Sequence, residues 1–141
     1  MNIVIEHRNL FTMPKEYYLA HCISADFALG AGIAKTFSDK YKMRIKLFEK
    51  HGVYAYRGGD ALLVDKVFNL VTKAKFWQKP TYESLREALE RMKEQILSMG
   101  ITKLAMPKIG CGLDRLDWNK VFYIICDVFD DTDIEIIICE L

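Results

Sequence analysis

Two glycine-rich turns constrain the fold of this 141-residue chain most strongly, because each lies between an apolar run and a segment with helical spacing. The first turn contains Gly30-Ala31-Gly32 and the second contains Gly110-Cys111-Gly112. Strand, glycine turn and helix in this order are typical of layered α/β domains, in which ligands bind beside the carboxyl ends of strands. A tight turn without a ligand is the alternative interpretation of either turn taken alone.

The rest of the chain continues the alternation of strands and helices. Apolar runs predict strands at 3–5, 17–23, 61–64, 67–71, 101–106 and 134–139. Helical spacing predicts helices over 33–48, 85–99 and 118–129, with Thr81 as N-cap and Gly100 as stop of the second. The short turn Asp65-Lys66 predicts an antiparallel hairpin. The predicted fold class is therefore α/β, with helices on both faces of a central mixed sheet.

Composition narrows the function classes. Hydrophobic residues make up 51% and charged residues 28% of the chain, as in ordinary globular domains. The net charge of +1 argues against a broad surface for nucleic acid or anionic membranes, although a local anion site stays possible. No apolar run approaches the ~20 residues of a membrane span, and the N-terminus lacks a signal-peptide pattern. We expect a single domain over 1–141, located in the cytoplasm or, in a eukaryotic cell, the nucleus.

Cysteine and histidine usage predicts neither disulfides nor a metal site. The four cysteines show no C-x-x-C spacing, and three of them lie in apolar runs, which favours buried free thiols. The three histidines do not cluster, so we expect no zinc. His21 lies within an apolar run, which indicates a hydrogen-bonded core residue rather than a ligand.

Several segments together carry a resemblance to a known family: 19–24, 30–34, 71–73, 79–83 and 106–116. Through them the chain resembles macro domains, which are three-layer α/β/α folds that bind ADP-ribose. The likeness is greatest to the terminal ADP-ribose protein glycohydrolase branch and spans almost the whole chain. It implies a single macro domain over 1–141.

The resemblance also implies a set of site residues. In that branch a lysine acts as nucleophile on the distal ribose and an aspartate assists it, which matches Lys73 and Asp114. The implied ligand-binding residues are Asn9, Leu10, Ser24, Gly30, Ala31, Gly32, Ile33, Ile109, Gly110, Cys111, Gly112 and Leu113. Asn9 stands where many macro domains have an aspartate that reads the adenine amino group. Without the resemblance, we would interpret Lys73 as a solvated surface lysine and Asp114 as a helix cap.

The resemblance implies a hydrolase that removes ADP-ribose from mono-ADP-ribosylated carboxylates through a lysine adduct. The same chemistry would deacylate O-acyl-ADP-ribose. The alternatives are a non-catalytic ADP-ribose reader, or a hydrolase of ADP-ribosylated nucleic acid or of ADP-ribose 1″-phosphate. We expect a monomer without cofactor whose partner is ADP-ribose or ADP-ribosylated protein; nucleic acid enters only as a modified substrate. Phe76 and Trp77, in the loop after Lys73, either stack on the ligand or cover the core.

Overall fold

A six-stranded sheet forms the middle layer of the computed structural model, which describes residues 1–141. The strands are β1 (Asn2–His7), β2 (Tyr18–Ser24), β3 (Asp60–Val64), β4 (Val67–Lys73), β5 (Lys103–Met106) and β6 (Glu135–Glu140). Their order across the sheet is β1-β6-β5-β2-β4-β3, and only the β3–β4 hairpin is antiparallel. The predicted mixed sheet and its hairpin are therefore confirmed.

Helices cover both faces of the sheet and complete the predicted α/β/α layers. They are α1 (Gly32–Tyr41), α2 (Met43–His51), α3 (Tyr82–Met99) and α4 (Trp118–Phe129), with a 3-10 turn at Leu10–Thr12. In β4, Phe68 and Leu70 pack on the α3–α4 side, whereas Val67 and Val71 pack on the α1–α2 side. This alternation gives the sheet two apolar faces, each of which needs a helical cover. None of the helices combines the length and apolarity needed to cross a bilayer.

The sequence predicts one helix over 33–48, and this prediction is wrong. Lys42 adopts a left-handed conformation with φ of 55° and ψ of 37°, which ends α1 and begins α2. The break changes which side chains face the sheet: Met43 and Leu47 are buried, whereas Ile45 is 55% exposed. The i, i+4 apolar spacing therefore continues across a break that it does not reveal.

Helix α3 begins and stops where the sequence predicts. The Thr81 side chain accepts from the Ser84 backbone N–H, and the Ser84 hydroxyl accepts from the Thr81 N–H, which forms a capping box. Gly100 ends the helix in a left-handed conformation with φ of 68°. The buried stripe of α3 ends at Ile96, so Met99, which the spacing places on the apolar face, is instead 51% exposed.

His21 is the hydrogen-bonded core residue that the sequence predicts. Its Nε2 lies 2.6 Å from Asn69 Oδ1, and its ring stacks on Phe37 at 4.0 Å. The Asn69 amide nitrogen donates to the carbonyls of Leu62 and Val67, so the Asn69 oxygen is the acceptor and Nε2 of His21 carries the hydrogen. Nδ1 of His21 has no partner. Burial lowers the pKa of His21 to about 4, and the hydrogen bond to Asn69 only partly opposes this shift.

This arrangement predicts that the free energy of unfolding falls as the pH drops from 6.5 to about 4. In that window the unfolded chain binds a proton at His21 and the native protein does not, so each pH unit costs up to about 1.4 kcal/mol. His21→Gln retains an amide donor for Asn69 but cannot titrate. Chemical denaturation between about pH 7 and pH 4 should therefore show the wild type losing roughly 3 kcal/mol more than the variant. Parallel pH profiles for the two proteins would contradict this assignment.

Candidate active site

A cavity of about 890 Å³ opens beside the carboxyl ends of β2 and β4 and the loop that follows β5. Because β2 pairs in parallel with both β4 and β5, these three ends lie at one edge of the sheet. Both glycine-rich turns line the cavity, as the sequence predicts. The predicted site residues that line it are Ser24, Gly30, Ala31, Gly32, Ile33, Lys73, Ile109, Gly110, Gly112, Leu113 and Asp114.

Three predicted ligand-binding residues do not line this cavity. The Asn9 side chain accepts from the backbone N–H of Phe11 at 2.9 Å and caps the 3-10 turn. Leu10 is buried in the core on the α1–α2 side. The Cys111 thiol donates to the carbonyl of Ile109 at 3.3 Å. Ligand contacts by Asn9, Leu10 and Cys111 stay predictions from the resemblance.

Lys73 and Asp114 form a hydrogen-bonded ion pair in the cavity. Lys73 Nζ lies 2.6 Å from Asp114 Oδ1, and their side chains are only 13% and 16% exposed. Lys73 is thus not a solvated surface lysine. Asp114 is not a helix cap either, because Asp117 caps α4 by accepting from the Asn119 N–H. A lysine and a carboxylate at this distance can exchange a proton at the cavity wall.

Cys22 also lines the cavity near this pair, but its chemistry differs. Burial raises the pKa of the Cys22 thiol, and the negative charge of Asp114 raises it further. The thiol therefore stays protonated and is a poor nucleophile. All four cysteines are free thiols, as predicted; Cys139 is buried and the other three are partly buried.

The glycines of the two turns are present for different reasons. Gly110 has φ of 72°, and a Cβ there would lie 2.9 Å from Leu116 Cδ1, so the fold itself requires this glycine. Neither conformation nor packing requires Gly30 or Gly112. A Cβ on Gly112 would meet no atom within 4 Å, and one on Gly30 would meet only the Ala28 carbonyl oxygen at 3.9 Å. Both glycines line the cavity, where a missing side chain lets a ligand approach the backbone.

The N-terminus of α1 opens into the cavity without a side-chain cap. Ala31 occupies the N-cap position and makes no side-chain hydrogen bond, whereas α3 and α4 are capped by Thr81 and Asp117. Residues 31–34 all line the cavity. An uncapped helix N-terminus presents free N–H groups and partial positive charge, which stabilise a bound anion.

The charged residues around the cavity also favour an anion. Lys73, Lys79, Lys108 and Arg115 line it, and Asp114 is the only carboxylate in the lining, although Lys108 also pairs with Glu140 outside it at 2.5 Å. Lys79, Lys108 and Arg115 were not among the site residues predicted from the sequence. The only sequence feature that could have indicated these three residues is their position, because all of them lie within the segments that carry the family resemblance. No group of three or more His, Cys, Asp or Glu residues is placed to hold a metal ion.

Asp26 connects two loops at the cavity. Its carboxylate accepts from the Ser24 hydroxyl at 2.5 Å and from the backbone N–H groups of Ala28 and Phe76 at 3.2 and 3.0 Å. Burial alone would raise the pKa of Asp26, but these hydrogen bonds outweigh it and lower that pKa. Phe76 and Trp77, which Asp26 helps to place, are 64% and 70% exposed at the cavity. They therefore do not cover the core, which was one of the two expectations for them.

Known structures share this fold. The macrodomain of Mycobacterium tuberculosis DarG aligns with a TM-score of 0.85 and 21% identity, over 99% of this chain and 97% of that chain. Thermosipho africanus DarTG in complex with ADP-ribose aligns with a TM-score of 0.76 and 19% identity, over 99% of this chain and 42% of that chain. At these identities the matches establish the fold alone.

Sequence comparison establishes the family. The human protein named ADP-ribose glycohydrolase OARD1 is 42% identical over 137 residues, which cover 94% of this chain and 88% of that protein. The family model described as the macro domain matches residues 20–125. The family model thus includes both glycine-rich turns, Lys73 and Asp114. The chain belongs to the macro domain family.

Proposed function

We propose that this protein is a hydrolase that removes ADP-ribose from mono-ADP-ribosylated carboxylates through a covalent adduct with Lys73. The observation that carries this proposal is the 2.6 Å pair of Lys73 and Asp114, held in a cavity suited to an anion. The 42% identity to the human protein named ADP-ribose glycohydrolase supports the reaction class. The Thermosipho africanus DarTG structure in complex with ADP-ribose supports the ligand.

We place the diphosphate and the distal ribose of the ligand in separate parts of the cavity. The diphosphate fits beside the uncapped N-terminus of α1, where Gly30 leaves the backbone open. Gly112 leaves the facing turn open in the same way. The distal ribose then lies toward Lys73 and Asp114, with its C1″ atom next to the lysine nitrogen. Binding energy from the diphosphate holds the reacting carbon in place, which lowers the entropic part of the barrier.

The proposed reaction begins when the acyl group moves from C1″ to a neighbouring hydroxyl, so that the sugar can open to an aldehyde. Lys73 passes a proton to Asp114 and its free amine adds to C1″, after which one water leaves and an imine forms. One water then releases the carboxylate, and a second hydrolyses the imine and restores the amine. The net reaction consumes one water and gives ADP-ribose and a free carboxylic acid.

Asp114 serves as general acid and base throughout this sequence. It takes the proton of Lys73, donates a proton as water leaves, and recovers one during hydrolysis of the imine. Its short contact with Lys73 suits these transfers because no rearrangement is required. O-acyl-ADP-ribose carries the same ester on the same sugar, so the proposed activity extends to its deacylation.

Gly112→Ala should weaken ADP-ribose binding without weakening the fold. The added methyl group meets no protein atom within 4 Å and projects where we place the ligand. Calorimetry should show at least a tenfold loss of affinity, about 1.4 kcal/mol, while the thermal unfolding midpoint stays unchanged. Ser98→Ala, an exposed substitution in the last turn of α3, is the matched control and should bind as the wild type does. If Gly112→Ala binds ADP-ribose with unaltered affinity, the ligand does not contact this turn.

Lys73→Arg should bind ADP-ribose and fail to release it from a modified carboxylate. Arginine keeps the positive charge opposite Asp114 but never supplies a free amine at working pH. With mono-ADP-ribosylated glutamate protein as substrate, released ADP-ribose should fall at least a thousandfold, roughly 4 kcal/mol in transition-state stabilisation.

Borohydride provides the direct readout of the adduct. Added during turnover, it should reduce the imine and leave ADP-ribose on the wild-type chain, where peptide mapping by mass spectrometry should locate it at Lys73. The Lys73→Arg chain should remain unlabelled. Robust turnover by Lys73→Arg would eliminate the nucleophile role and leave Asp114 with an activated water.

A further inference from the structure

The loop after Lys73 places two exposed aromatic side chains at the mouth of the main cavity, the one of about 890 Å³. Phe76 and Trp77 are mostly exposed, and both line this cavity together with Lys73. Trp77 and Lys73 also line a smaller neighbouring cavity of about 530 Å³, so the two residues are close together. The rings therefore lie at the reacting end of the proposed ligand and not at its adenine end, which is beyond the diphosphate.

The two aromatic residues occupy the tip of a tight turn. The Gln78 backbone N–H donates to the Lys75 carbonyl at 3.1 Å, and the Lys75 N–H donates to the Gln78 side-chain oxygen at 2.8 Å. Asp26 accepts from the Phe76 N–H at 3.0 Å, which ties the turn to the loop after β2. Small and polar residues dominate turns of this kind. Two adjacent rings that a turn holds in water indicate a surface that binds a partner.

Unpaired positive charge lies beside the rings. Lys79 and Arg115 are exposed, line the same cavity and form no ion pair within the chain. The other two cations of the lining are already paired with carboxylates. The Asp26 carboxylate accepts three hydrogen bonds and does not line the cavity. Two free cations suit one or two carboxylates of a peptide. A nucleic acid strand would need a continuous basic track for its phosphates, and the net charge of the chain is only +1.

We propose that Phe76 and Trp77 form a platform for the polypeptide that carries ADP-ribose. Lys79 and Arg115 then face acidic residues beside the modified glutamate. This inference rests on the proposed function and identifies the part of the substrate that the protein selects. With C1″ of the distal ribose at Lys73, the acyl group leads out of the cavity mouth and the peptide packs on the rings. This contact buries apolar area that water covers in the free protein.

Two substrates that differ only in the acceptor test the platform. Trp77→Ala should raise KM at least fivefold for a mono-ADP-ribosylated glutamate peptide with acidic neighbours, with kcat unchanged. For O-acetyl-ADP-ribose, which carries the same ester without a peptide, KM should rise less than twofold. Tyr123→Ala is the matched control, because Tyr123 is a 66% exposed aromatic residue on α4 outside the cavity, and it should affect neither substrate. An unaltered KM for the peptide in Trp77→Ala, or an equal rise for both substrates, would overturn the proposal.

The charges of the acceptor provide a second readout. The wild type should show a KM at least fivefold lower for the acidic peptide than for the same peptide with glutamine at the neighbouring positions. Lys79→Gln removes one of the two free cations and should reduce this preference at least twofold. Equal KM values for the two peptides in the wild type would contradict the proposal. So would a mono-ADP-ribosylated oligonucleotide with a lower KM than the acidic peptide.

Binding measured without turnover separates this inference from the proposed function. The Lys73→Arg protein should bind the modified acidic peptide at least fivefold more tightly than free ADP-ribose, and Trp77→Ala in that background should abolish the difference. If the difference is absent while the wild type releases ADP-ribose, the platform is wrong and the hydrolase stands. If the difference is present and depends on Trp77 but the wild type releases no ADP-ribose, the platform stands and the hydrolase is wrong.

Discussion

Strand β2 pairs in parallel with β4 on one side and with β5 on the other, and this pairing determines where the main cavity forms. It brings the ends of three strands to one edge, although the groups that they deliver are far apart in sequence. The register of β2 and β4 shifts between Ile23 and Ser24, which sets Ser24 opposite Lys73. Such irregularities often redirect side chains beside active sites. From that edge Lys73 reaches Asp114, 41 residues further along the chain.

Groups that the fold leaves unsatisfied define the main cavity. Helix α1 lacks the side-chain cap that α3 and α4 possess, and Gly112 lies open to the cavity. Leu29 and Arg115, which adjoin the two glycine-rich turns, hold positive φ values of 42° and 59°. Backbone in this region costs energy for residues other than glycine, and it persists where surrounding packing enforces it. The main cavity therefore combines uncapped backbone N–H groups, glycines without steric neighbours and strained residues beside the glycine-rich turns. This combination suits an anionic ligand.

The parts of the fold that depend on short sequence patterns could be predicted from the sequence. The strands and the hairpin follow from apolar runs, and α3 follows from Thr81 and Gly100. The break at Lys42 could not be predicted, because a left-handed lysine has no sequence signature and the apolar spacing continues across it. The pairing of Lys73 with Asp114 depends on the order of strands in the sheet, so only the family resemblance indicated it.

The proposed hydrolase activity is tested most directly by measuring the release of ADP-ribose from a protein that carries a single labelled ADP-ribose on glutamate. The wild-type protein should be added well below the substrate concentration, so that each molecule must act many times. If the protein is the proposed hydrolase, all the label should appear as free ADP-ribose while the glutamate returns to its unmodified mass. Tight binding of the modified protein with no label released would instead show that this macro domain is a reader of ADP-ribose.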